Sequence, residues 1–148
     1  MSASGKPEVN AAARCACGGA GVAVNGRVRA MLMCSCEDCQ KATGGGHSAF
    51  AIFAAGDVSV DGETRSFARP ASSGATFTRW FCPTCGTTLF GRSSRAETLT
   101  IIPAGLFGRA AGWYQPTQLI FARSHHDWDT IDPALPRWQT YRDEEGHT

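Results

Sequence analysis

The feature that most constrains this chain is the placement of its seven cysteines, which fall into three tight groups separated by long cysteine-free stretches: Cys15-Ala16-Cys17, Cys34-Ser35-Cys36-Glu37-Asp38-Cys39 and Cys82-Pro83-Thr84-Cys85. Thiols at two- and three-residue spacing are metal ligands far more readily than core fillers or disulfide partners. The odd count argues against a disulfide framework, and Met1 to Arg14 carries one lysine and no apolar segment, so nothing there reads as a signal peptide. The expectation is a soluble, cytoplasmic metalloprotein that neither spans nor binds a membrane.

Cys82-Pro83-Thr84-Cys85-Gly86 reads as a zinc knuckle, with two thiolates on one tight turn and a glycine that lets backbone amides point at sulfur. A knuckle supplies half of a tetrahedral site. Cys15-Ala16-Cys17-Gly18 is the evident donor of the other half, giving a closed four-cysteine site. Cys34, Cys36 and Cys39 then remain to surround a second zinc on three sides, with a fourth position for water or substrate. Spacing alone leaves a different partition open, in which Cys34 and Cys36 complete the knuckle's site while Cys15, Cys17 and Cys39 share the other metal. A fourth protein ligand such as His47 would make both sites purely structural.

Seventeen glycines and seven prolines among short β-branched and aromatic runs, in 148 residues of 43% hydrophobic content, predict one turn-rich, mainly antiparallel β domain with little helix. The domain is placed over residues 14–140, between a loose N-terminal tail (1–13) and a mobile C-terminal tail (141–148). Asn25-Gly26, flanked by Val22, Val24 and Val28, predicts a tight hairpin whose second arm runs Val28, Ala30, Leu32, Cys34, Cys36 at period two. Further strands are expected at Ser48–Phe53, Val58–Val60, Thr64–Ala68, Thr76–Cys82, Thr87–Phe90, Thr98–Ile102 and Gln118–Ala122, and a short turn or single helical turn after Cys39 that ends in Gly44-Gly45-Gly46.

Lys+Arg 14 against Asp+Glu 13 leaves a net charge of +1, and no basic cluster interleaved with aromatics appears along the chain, so nucleic acid is not an expected partner. There is no phosphate loop, dinucleotide fingerprint or serine nucleophile elbow. Trp80, Trp113, Trp128 and Trp138 read first as core or rim packing, Trp80 and Trp138 as core, with a pocket lining as the alternative for Trp113-Tyr114. His125, His126 and His147 read as solvated surface, and Asp143-Glu144-Glu145 as a solvated tail.

The cysteine segments, with Gln40-Lys41-Ala42-Thr43-Gly44 after the triplet and Arg79-Trp80-Phe81 before the knuckle, resemble the glutathione-dependent formaldehyde-activating family, also called GFA or CENP-V-like. The resemblance covers about Arg14 to Trp138. It implies an Mss4-like, zinc-stapled β fold, two zinc ions per chain, a structural one on Cys15, Cys17, Cys82 and Cys85, and a catalytic one on Cys34, Cys36 and Cys39. The implied activity is that of a carbon-sulfur lyase, S-(hydroxymethyl)glutathione synthase, which condenses glutathione with formaldehyde. One departure stands out: many relatives carry a histidine where this chain has Gln118.

Zinc on three thiolates is a poor generator of hydroxide and a good site for another soft ligand, such as a substrate thiol. Glutathione has two carboxylates, for which Lys41, Arg79, Arg92 and Arg95 are candidate partners. The alternative reading is a non-enzymatic zinc module for protein interaction, a role that an Mss4-like fold also supports.

Overall fold

The computed structural model describes residues 5–141. The tail residues 1–4 and 142–148, and with them His147 and the Asp143–Glu145 run, lie outside the described residues. In chain order the strands are β1 (Glu8–Arg14), β2 (Ala20–Arg27), β3 (Ala30–Cys34), β4 (Ser48–Ala54), β5 (Val58–Gly62), β6 (Arg65–Pro70), β7 (Thr76–Phe81), β8 (Thr88–Ser93), β9 (Leu99–Pro103) and β10 (Gln118–Ile120). One α-helix, α1 (Glu37–Thr43), and three short 3-10 segments complete the described residues. The fold is mainly β with little helix, and no helix is long and apolar enough to cross a membrane.

The described chain forms two compact units, residues 5–30 with 51–114 and residues 31–50 with 115–141. In the first unit β1, β2 and β5 form an antiparallel sheet in that order, and β6, β7, β8 and β9 follow one another in an antiparallel ladder. Val22 and Val24 of β2 are buried at period two, with exposed Asn25 beyond them, which is how a strand with one covered face reads. Phe53, Leu89 and Ile102 are wholly buried here, and Trp113 packs edge-on against Phe53 and Phe107 at 5.9 and 5.4 Å between ring centroids. Half-buried Trp113 is therefore core or rim packing, its first reading from the sequence.

In the second unit β10 runs parallel to β3, with Leu32 opposite Gln118 and Cys34 opposite Ile120. Residues 136–140 lie along β10, where the Leu119 N–H donates to Pro136 O, the Trp138 N–H to Leu119 O and the Phe121 N–H to Thr140 O. Helix α1 is capped by Cys36 and closed by Gly44 in the left-handed conformation (φ 78°), whose N–H returns to Gln40 O.

Two local expectations fail for one reason. Glu8 to Ala13 is not loose, since with Arg14 it forms β1, which pairs with β2 from Glu8↔Arg27 to Arg14↔Gly21. Asn25-Gly26 is not a turn but part of β2, opposite Asn10 and Val9. Long-range pairing satisfies these backbone groups better than a local turn would. The glycine serves close approach instead: a Cβ on Gly26 would collide with the Asp57 carboxylate. The helix also begins before Cys39 rather than after it, because the Cys36 side chain caps it.

Candidate metal centres and the adjoining cleft

The sulfur atoms gather into two groups, Cys15, Cys17, Cys82 and Cys85 in the first unit and Cys34, Cys36 and Cys39 in the second, and within each group all lie within 4.8 Å of one another. Either group can hold a metal ion.

The four-cysteine group is built from two turns with a shared design. The Cys15 N–H donates to Ala20 O at 2.9 Å and the Cys82 N–H to Thr87 O at 3.0 Å, so each turn closes a loop of the same length. Gly18 and Gly86 take φ values of 82° and 79°, a conformation that costs a side chain dearly. The freed amides then point at sulfur, from Ala20 to Cys15 at 3.3 Å and from Thr84 to Cys82 at 3.4 Å. Cys15 and Cys82 are buried. Cys17 Sγ bridges the turns, 3.6 Å from Cys15 Sγ and 3.7 Å from Cys82 Sγ. Thr87 ties them together, its hydroxyl accepting from the Ala16 N–H at 3.1 Å and lying 3.2 Å from Cys85 Sγ.

Such crowding distributes charge unevenly. The Thr87 hydroxyl and then the Thr87 amide hold Cys85 down to about 5. Cys17 is pushed up to about 11, because the Gly19 amide that favours its thiolate is outweighed by the neighbouring Cys15 and Cys82 sulfurs. Four thiolates at these separations need a cation among them.

The three-cysteine group is local. Cys34 ends β3, Cys36 caps α1 by accepting the Cys39 N–H at 3.3 Å, and Cys39 lies one turn into the helix. Cys34 packs with Ile120 and Phe121, and Cys36, Cys39, Phe50 and Trp138 pack against that cluster, so the sulfurs have an apolar wall. Phe121 is the only non-glycine residue with positive φ (58°) among the described residues, a strained conformation held by its bond to Thr140 and by Tyr141 edge-on to its ring at 4.8 Å. Hydrogen bonding to Cys36 and Cys39, then burial, raises the Cys34 thiol far above its ordinary value. Cys39 is pushed up to about 11, since the Cys34 contact that favours its thiolate is outweighed by Cys36 and by burial.

Among the described residues no fourth histidine, cysteine or carboxylate joins the triplet. His47 does not close it: its Nδ1 pairs with Asp129 Oδ2 at 2.6 Å. Asp129 approaches so closely that Gly46 has no room for a Cβ.

Gln40 connects the triplet to a cleft. Its amide donates to Ser35 O at 2.8 Å, between two of the cysteines, and to Ser124 O at 3.1 Å, while its Oε1 accepts from His126 Nε2 at 3.0 Å. The cleft, about 680 Å³, is lined by Gln40 with Glu37, Lys41, Arg123, His126 and Trp128, among others. Of the four cations considered from sequence, Lys41 lines this cleft. Arg79 and Arg92 lie in the first unit, over the rings of Phe81 and of Trp80 and Phe90 respectively, and Arg95 belongs to that unit too. Gln118 is half-buried in β10.

Residues 10–124 match the family model described as glutathione-dependent formaldehyde-activating enzyme. The chain belongs to that family. The match spans both cysteine groups of this GFA chain. The crystal structure of a Rhodobacter sphaeroides protein shares the fold, with a TM-score of 0.53 and 15% identity over 67% of this chain and 89% of that one. This likeness fits a mainly β, Mss4-like fold. No curated protein matches the chain.

Gln40, Asp129, Arg123 and the His126–Trp128 stack, at 4.8 Å and 13°, escaped the reading of the sequence. His125 and His126 were expected as surface, and each makes a specific bond, His125 Nε2 to Asp129 O at 2.6 Å and His126 to Gln40. Only the two histidines side by side hinted at this.

Proposed function

We propose that this GFA chain is a zinc-dependent carbon-sulfur lyase that forms or breaks an adduct between a small thiol, glutathione in the first instance, and formaldehyde. Cys34, Cys36 and Cys39 hold the catalytic zinc, and Cys15, Cys17, Cys82 and Cys85 hold a structural one. The observation that carries this reading is the triplet itself: three sulfurs within 4.8 Å of one another, with no fourth ligand-type group beside them among the described residues.

The donor set fits zinc, a soft-tolerant ion that thiolates bind well, and a central dication would offset the crowding by neighbouring sulfurs and the burial that raise the Cys34 and Cys39 thiols. Cys34, Cys36 and Cys39 would hold the ion, whose chemistry there would be that of a Lewis acid for a substrate thiolate near neutral pH. The chain's own residues do the rest. The Cys39 N–H, aimed at Cys36 Sγ, reduces that sulfur's charge and fixes its direction. Phe50, Ile120, Phe121 and Trp138 keep water from the rear of the sulfurs. Lys41 and Arg123 receive the carboxylates of the thiol and Glu37 its ammonium, with Gln40 holding helix and cleft in register.

The test is formaldehyde consumption in the presence of glutathione, measured against the uncatalysed condensation. Zinc-loaded protein is expected to accelerate adduct formation and its reversal alike, and Cys39→Ser to abolish both. A rate equal to buffer for zinc-loaded protein, with glutathione and with other small thiols, would sink the proposal.

A further inference from the structure

Arg65-Ser66-Phe67-Ala68-Arg69 and Phe77-Thr78-Arg79-Trp80-Phe81 each alternate arginine and phenylalanine at period two, and strand pairing in the first unit aligns the two segments. In the β6–β7 ladder Arg65 lies opposite Phe81, Phe67 opposite Arg79 and Arg69 opposite Phe77. Directly paired residues share a face, as do residues two apart, so one face of this hairpin presents three arginines and three phenylalanines as a checkerboard. The two halves of the pattern sit on separate strands, so only their pairing completes the checkerboard.

Three properties of this face point to a ligand. Three arginines lie on this face and strands β6, β7 and β8 contain no carboxylate, so the face is cationic although the chain as a whole is nearly neutral. Neither Arg65 nor Arg79 takes part in an ion pair among the described residues. Phe67 is 55% exposed, unusual for a phenylalanine on a sheet. Arg69 stacks over Phe77 at 4.9 Å and Arg79 over Phe81 at 5.8 Å, whereas no guanidinium covers Phe67. Among the described residues Phe67 is therefore an open ring, with Arg65 and Arg69 about 7 Å away on either side along the strand and Arg79 directly across.

We propose that the β6–β7 face binds single-stranded nucleic acid, one base stacking on Phe67 while Arg65, Arg69 and Arg79 contact the flanking phosphates. A flat aromatic surface ringed by guanidinium groups suits a base with phosphates on both sides, and stacking tolerates any base. A second copy of the chain is a poor occupant, because pairing along edge strand β6 would bring Arg65 and Arg69 against their own kind. An acidic peptide would satisfy the arginines and leave the ring unused.

The test is fluorescence anisotropy of a labelled short oligothymidylate titrated with the zinc-loaded full chain over a range of salt. Three phosphate contacts predict a slope of log affinity against log salt of about −2, and Arg65→Gln with Arg79→Gln should reduce its magnitude by about 1.4. Phe67→Ala should weaken binding roughly 5- to 100-fold, Phe67→Leu comparably, and Phe67→Tyr hardly at all. Being exposed, Phe67 can be replaced without unfolding the chain, which a thermal melt verifies. Absence of salt-dependent binding, or equal affinity in wild type and Phe67→Ala, would overturn the proposal. So would polyglutamate or anionic vesicles competing as well as the oligonucleotide.

Discussion

The two cysteine groups use the same atom for opposite ends. In the first, the sulfurs come from turns far apart in the chain, with Cys17 touching Cys82 across 65 positions, and each turn has spent a glycine and several amides on its geometry. In the second, three sulfurs lie within six residues, at a strand end and a helix cap, against an apolar wall and next to a polar cleft. A cross-link closing a long loop removes more freedom from the unfolded chain than one closing a short loop. On the proposed division the distant pairs serve folding, and the local triplet gives little to the global fold and keeps a ligand position for chemistry.

The largest effect that tests this contrast is loss of the first group. Cys82→Ser is expected to abolish the cooperative melt, because a structural zinc contributes on the order of 10 kcal/mol to folding. Cys39→Ser should leave a cooperative transition within several degrees of wild type. Equal losses in circular dichroism melts of the two variants would break the comparison.

Activity should show the reverse. Cys39→Ser, still folded, is expected to lose about 100-fold or more in turnover, since removal of a Lewis acid forfeits several kcal/mol of transition-state stabilisation. Wild-type turnover by this variant would remove the triplet from the reaction.

Gln40→Glu sharpens the contrast further. The change replaces a double donor by an acceptor facing the Ser35 and Ser124 carbonyls, a cost of about 1–3 kcal/mol. Zinc affinity at the triplet should fall roughly 10- to 100-fold while the other site keeps its metal. A competitive chelator titration reads both sites separately, and parallel loss from the two would contradict the division. The smallest effect belongs to the cleft: Lys41→Ala and Arg123→Ala should each raise KM for glutathione about 5- to 10-fold with kcat little changed.

The difference between the groups also explains what could be read from the sequence. Ligand spacing is local, so Cys34, Cys36 and Cys39, and each half of the four-cysteine set, stood out at once. Most strands announced themselves by β-branched and aromatic runs, from Ser48–Ala54 to Leu99–Pro103. Long-range features did not. The pairing of β1 with β2, which turns Asn25-Gly26 into strand, depends on residues lacking any strong strand signature, such as Ala11, Ala12 and Ala13. The Gln40 bonds join residues 84 and 86 positions apart, and the Arg/Phe checkerboard exists only after β6 and β7 are aligned. Local chemistry is written in the chain, whereas juxtaposition is made by the fold.

The most direct measurement is zinc content of anaerobically purified protein, combined with X-ray absorption at the zinc edge as glutathione is added. The account predicts two zinc ions per chain, with one gaining a sulfur neighbour when glutathione is present and the other unchanged. Two zinc ions that both ignore the thiol, each with a complete protein ligand set, would contradict it and leave a zinc module that serves binding rather than catalysis.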